Sequence, residues 1–111
     1  MDLKEEVLGD ITVLEVKGRV DSSTAPVLGE RLTGLLVTPS RRLILDMRDL
    51  EYISSAGFRV LLLAAKRAEE AAVHLVLCSL SGKVRQLFDL GGFLELFAIS
   101  SSRNEAVTTG R

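Results

Sequence analysis

Two short runs near the start of the chain, "LKEEVL" and "ITVLEVKG", read as strands, and the Gly9-Asp10 dipeptide between them suits a tight turn, predicting an antiparallel hairpin. After "GRVDSS", Val27, Leu28, Leu32, Leu35 and Leu36 recur at helical spacing, which predicts a first helix from Thr24 to Leu36. Ser22 or Ser23 is placed to cap it, and Pro26 falls in its first turn, where proline is tolerated. "RRLILDM" is a continuous apolar run between basic residues and an acidic one, the mark of a buried central strand. From Ser55 to about Ala72 the period is helical again. "VHLVLCS" is a second buried strand, and "SGKVRQLFDLGG" is a helix starting near Ser81 and ending at Gly91 and Gly92. "LFAIS" is a last short strand and "SRNEAVTTG" a frayed terminal helix.

Strands alternating with helices of about a dozen residues require crossover connections. The expected fold is therefore a single α/β domain over residues 1–111, with a mixed, mostly parallel sheet of about four to five strands and about four helices packed against it. In such sheets functional loops gather beyond the carboxyl ends of the strands, and the stretch from Leu50 to Ser55 leaves the end of the Leu43–Met47 strand.

Composition narrows the function. Fourteen Lys and Arg against 15 Asp and Glu give a net charge of −1, with no basic stripe to track phosphates. Nucleic acid is therefore not an expected partner. No run approaches the ~20 apolar residues of a membrane span, and the charged "MDLKEEVLGD" is unlike a signal peptide, so a cytoplasmic location without membrane contact is expected. The single Cys78 excludes a disulfide within one chain and, inside an apolar run, reads as a small buried hydrophobe.

The chemistry concentrates in "EYISSAGFRVLL", residues 51–62. Either Ser54 or Ser55 is able to cap the helix that follows. At 100° per residue, Leu61, Ala64, Ala65 and Ala68 share one side of that helix, and Arg59, Lys66 and Glu70 the other. Ser55 projects onto the charged side. Leu63 falls there too and Leu62 lies at its border, a surface suited to docking. The small residues Ala56 and Gly57 leave the Ser55 hydroxyl accessible, and Gly57 costs about 1 kcal/mol relative to alanine in a helix, a cost that close approach of another chain would offset.

Catalysis is not expected. An esterase elbow needs G-x-S-x-G, and Ile53 stands where its first glycine belongs. His74, the one histidine, sits in a predicted strand among apolar neighbours, and "SGKV" lacks the upstream glycine and the following Ser or Thr of a P-loop. No Cys and His cluster offers metal ligands, and no cofactor is implied.

Together "GRVDSSTAP", "LILDMRDLEYISSAGFRVLL" and "LSGKVRQLFDLGGF" resemble, in order and over nearly the whole chain, a bacterial anti-sigma factor antagonist consisting of one STAS domain. The resemblance implies a partner switch. The unmodified antagonist binds a serine-kinase anti-sigma factor and frees a sigma factor, the kinase phosphorylates a serine at the start of a helix, and a PP2C-type phosphatase reverses it. The family motif D-S-[ST]-G-L-G followed by Val and Leu aligns Ser54 with its Asp, Ser55 with the phosphoacceptor and Ala56 with the second hydroxyl residue. Phe58 takes the place of the Leu and Arg59 that of the last Gly. Ser55 is thus the implied phosphosite, with Ser54 its rival. The resemblance also implies a partner-binding surface of Asp21, Ser54, Ala56, Gly57, Phe58, Arg59, Leu62 and Leu63, on a monomer or weak dimer. Asp21 matches an Asp after the family's second strand and is expected near the serine loop, with capping of the turn before the first helix as its alternative role. The same serine chemistry could instead serve secretion control or a signalling scaffold.

Overall fold

The computed structural model describes residues 1–38 and 40–108. Its elements follow the order β1 (Asp2–Leu8), β2 (Ile11–Val20), α1 (Ala25–Leu36), β3 (Arg42–Asp46), β4 (Leu50–Ile53), α2 (Ser55–Glu70), β5 (His74–Cys78), α3 (Gly82–Leu90), β6 (Ala98–Ser100) and α4 (Arg103–Thr108), with a 3-10 turn at Leu94–Leu96. β1 runs antiparallel to β2 around Gly9, and every other pairing is parallel. The strand order is β1-β2-β3-β5-β6, with β4 beside β2.

The sheet is mixed and mostly parallel, with four α-helices among the described residues, as the sequence pattern predicts. The sixth strand, β4, is the departure, because it occupies a stretch read as loop. In "LEYI" only the terminal Leu50 and Ile53 are buried, so no two-residue alternation announces a strand. Its partner is set by β2, which pairs with β3 through Glu15 and then with β4 from Gly18 to Val20. The register shifts between Gly18 and Arg19, and Gly18 has φ +98°, a conformation that glycine adopts without steric cost.

The start of α3 follows the sequence reading, and that of α1 departs from it. Ser81 caps α3 as expected, its hydroxyl accepting the Val84 amide at 3.2 Å. At α1 the cap position is Thr24, not Ser22 or Ser23, and it makes no side-chain cap bond. Asp21 organises that turn instead, as described below. The final helix runs to Thr108, and the remainder of the expected terminal helix lies outside the described residues.

The two faces of the sheet are covered unequally. Leu14, Val16, Leu43, Leu45 and Leu77 point to the layer formed by α1, α2 and α3. Val13, Ile44, Val76 and Cys78 point the other way and meet Ala106 of α4. Two arginines hold that short helix. Arg103 at its start donates to Glu6 at 2.7 Å, to Asp46 at 2.9 Å and to Glu15, while the buried Arg42 donates to the Ala106 carbonyl at 2.6 Å near its end.

Candidate functional site

The start of α2 is fixed by the carboxyl end of β2. Ile53 pairs with Val20, and the Ser54 amide then donates to the Val20 carbonyl at 2.8 Å. Ser54 is extended (φ −91°, ψ 176°), the backbone of an N-cap residue. Its hydroxyl oxygen accepts the Gly57 amide at 3.3 Å, and its carbonyl accepts the Phe58 amide at 3.0 Å. Ser54 is therefore committed to capping the start of the helix. Ser55, the first helical residue, is exposed and makes no side-chain hydrogen bond among the described residues.

Because Val20 adjoins this tip, so does the turn that follows it. The Asp21 carboxylate accepts from the Ser23 hydroxyl at 2.7 Å, the Ser23 amide at 3.0 Å and the Thr24 amide at 3.1 Å. These bonds, the Ser23 hydroxyl first, hold the Asp21 carboxyl below its ordinary value of 3.8. Asp21 thus lies beside the serine loop, as expected, and also carries the turn before α1. Arg19, two residues before it, stacks over the Tyr52 ring of β4 at 4.4 Å.

Two residues expected on the outer surface lie inside. Phe58 is buried, stacked on Phe93 with ring centroids 4.3 Å apart and edge-on to Phe88 at 4.8 Å. Its position three residues before Leu61 puts it on the buried face of α2, so spacing outweighs the motif correspondence. Gly57 is buried as well. A methyl group there would lie 2.6 Å from Ile53 and 2.8 Å from Val20, so its small size serves packing within this chain and not the approach of another.

The remaining candidates form one surface. Ala56 is partly covered, Arg59 is exposed one turn beyond Ser55, and Leu62 and Leu63 follow, with Leu63 49% exposed. Beside Leu63 a shallow hollow of about 90 Å³ opens between α1 and α2, lined by Gly29, Thr33, Val60 and Arg67 among others.

Nothing at the tip resembles an activated nucleophile. His74 opens β5 in register with Arg42 and Ile11, so it and Ser55 lie at opposite ends of β2. Cys78 is buried under α4, where desolvation pushes its thiol upward. Among the described residues no group of three His, Cys, Asp or Glu side chains is placed to hold a metal, and no helix is long and apolar enough to cross a membrane. A polar hollow of about 660 Å³ lies elsewhere, at the ends of β3 and β5, and Arg103 is among its lining residues. The arginine network around it has no counterpart in the sequence reading. The one available signal was "SRNE", where Ser102 caps the Glu105 amide and Glu105 reaches back to Ser101.

The STAS domain profile matches residues 3–106, and the chain belongs to that family. BtrV of Bordetella bronchiseptica, proposed by its name to be an anti-sigma factor antagonist, is 38% identical over 106 residues, covering 96% of this chain and 91% of its own. The crystal structure of an anti-sigma factor antagonist from Mycobacterium paratuberculosis superposes with a TM-score of 0.87 at 20% identity, over 96% of this chain and 91% of that one. The Bacillus cell fate determinant SpoIIAA in its phosphorylated form superposes with a TM-score of 0.74 at 17% identity, over 99% and 100%.

Proposed function

We propose that this protein is an anti-sigma factor antagonist controlled by phosphorylation of Ser55. Unmodified, it docks on a serine-kinase anti-sigma factor through the tip and outer face of α2, which releases the sigma factor. The kinase then phosphorylates Ser55 and the complex dissociates, until a PP2C-type phosphatase restores the hydroxyl. The supporting observation is the division of labour between adjacent serines: Ser54 is consumed by the cap, whereas Ser55 presents a free, exposed hydroxyl.

The phosphoryl group adds about −1.5 to −2 charges and three acceptor oxygens. At a helix start the added charge is stabilised by about 0.3–2 kcal/mol, so the fold persists. Against a partner surface shaped for a hydroxyl, Ala56 and the outer leucines, the same dianion loses its water without compensation. Each 1.4 kcal/mol of that cost weakens binding about tenfold.

Incubation with the anti-sigma kinase encoded in the same genome tests this reading. Stoichiometric phosphorylation is expected to raise the dissociation constant by about 100-fold or more. Ser55→Ala is expected to bind like the unmodified protein and to take up no phosphate by mass spectrometry. An unchanged dissociation constant after phosphorylation overturns the switch, and full phosphorylation of Ser55→Ala on Ser54 moves the acceptor.

A further inference from the structure

We infer that Arg59 receives the phosphoryl group once Ser55 is modified, so that modification both adds an anion to the docking face and withdraws a cation from it. This inference rests on the reading of Ser55 as the acceptor.

The placement is geometric. Ser55 and Arg59 are four residues apart on α2, and side chains at that spacing are neighbours on one helix face. Both are exposed. Among the described residues Arg59 makes no ion pair and no side-chain hydrogen bond, in contrast to the arginines that already have partners. Arg31 pairs with Glu5, Arg41 with Asp10, Arg67 donates to Thr33, and Arg103 takes three carboxylates.

The other charged groups around the tip do not compete. Arg19 is stacked on Tyr52, and the Asp21 carboxylate is occupied by Ser23 and Thr24 rather than by Arg59. Glu51 is exposed at β4 and would repel a phosphate. A guanidinium is planar and offers paired N–H donors that match two phosphate oxygens, which an ammonium group does not. Position 59 corresponds to a glycine in the family motif, so the pairing is a property of this chain's own side chain.

The consequence concerns the partner. In the unmodified protein the Arg59 guanidinium is free to meet a carboxylate on the docking surface. After modification it is turned back onto its own helix, and that carboxylate faces a phosphate.

The test uses the full chain with phosphoserine installed at position 55 during translation, followed by phosphorus NMR titration at low salt. In Arg59→Gln the second ionisation of the phosphate is expected to rise by roughly half a pH unit, because an adjacent cation favours the dianion. Arg59→Lys is expected to restore most of that shift. Lys66→Gln removes the same charge about 16 Å from Ser55 along the helix, too far for contact with the phosphate, and is expected to shift the titration less than half as far as Arg59→Gln. Superimposable curves for the parent and Arg59→Gln overturn the inference, as does a larger shift in Arg19→Gln. Because the phosphate is installed without a kinase, failure of this pairing leaves the proposed cycle standing. Failure of the kinase to modify Ser55 leaves the pairing measurable.

Discussion

Two helices of this protein begin with consecutive serines, and the two starts are used in opposite ways. At α4, Ser102 caps the Glu105 amide, Glu105 accepts from both the amide and the hydroxyl of Ser101, and Arg103 is tied to carboxylates on three strands. At α2, Ser54 caps, but the next hydroxyl and the next arginine have no partner among the described residues. A serine at a helix start is thus not a site in itself. What separates a fastening from an addressable group is whether the neighbouring donors and acceptors are already satisfied.

The sharpest way to break the contrast is to open the closed end. Arg103→Ala leaves Asp46, whose side chain is only 10% exposed, without its cation, and strips Glu6 and Glu15 of theirs. The guanidinium is itself partly exposed, so a loss of about 2 kcal/mol in chemical denaturation is expected, below the cost of breaking a fully buried pair. Cys78 supplies a second reading, since it is the one cysteine of the chain and lies beneath α4. Its thiol is expected to react faster with a disulfide reagent in Arg103→Ala under native conditions, and equal rates would show that α4 stays seated.

A smaller effect separates the two serines of the open end. Ser54→Ala removes a cap and is expected to cost about 1 kcal/mol by urea unfolding. Ser55→Ala removes an unbonded surface hydroxyl and is expected to stay within about 0.5 kcal/mol of the parent. Equal losses would mean that both hydroxyls serve the fold.

The smallest effect is a dependence on pH at the Asp21 turn. Its carboxyl titrates lower in the folded protein than its ordinary value of 3.8, so it stabilises the fold above that value. This contribution fades as pH falls through the lowered folded value. Asp21→Asn keeps an acceptor oxygen but loses the charge. It is expected to be slightly less stable than the parent at neutral pH, with the difference closing below pH 3.8 in acid-unfolding curves.

Much of this fold is written in local patterns. The apolar runs of β3 and β5 and the inward residues Leu61, Ala64 and Ala68 of α2 follow from spacing alone. β4 does not, because its pairing depends on a register shift at Gly18, more than 30 residues earlier in the chain. The arginine network is less legible still: Arg103 meets Asp46 and Glu6 across 57 and 97 residues, and nothing at any one of these positions announces the others. At the site, the two serines that the motif aligned lie beside the Asp21 turn in the fold, while the burial of Phe58 was visible only in its spacing to Leu61. Which serine remains free required the cap geometry, since both residue types and both positions suit a helix start.

All four phenylalanines of the chain meet in one cluster behind the tip of α2, through Phe58, Phe88, Phe93 and Phe97. The phenylalanines, a residue type that anchors many protein interfaces, are therefore engaged in packing here, and the outer face of α2 carries aliphatic and charged groups. On the proposed reading, a few solvent-facing replacements therefore suffice to change the interlocutor, with the architecture that carries them left intact.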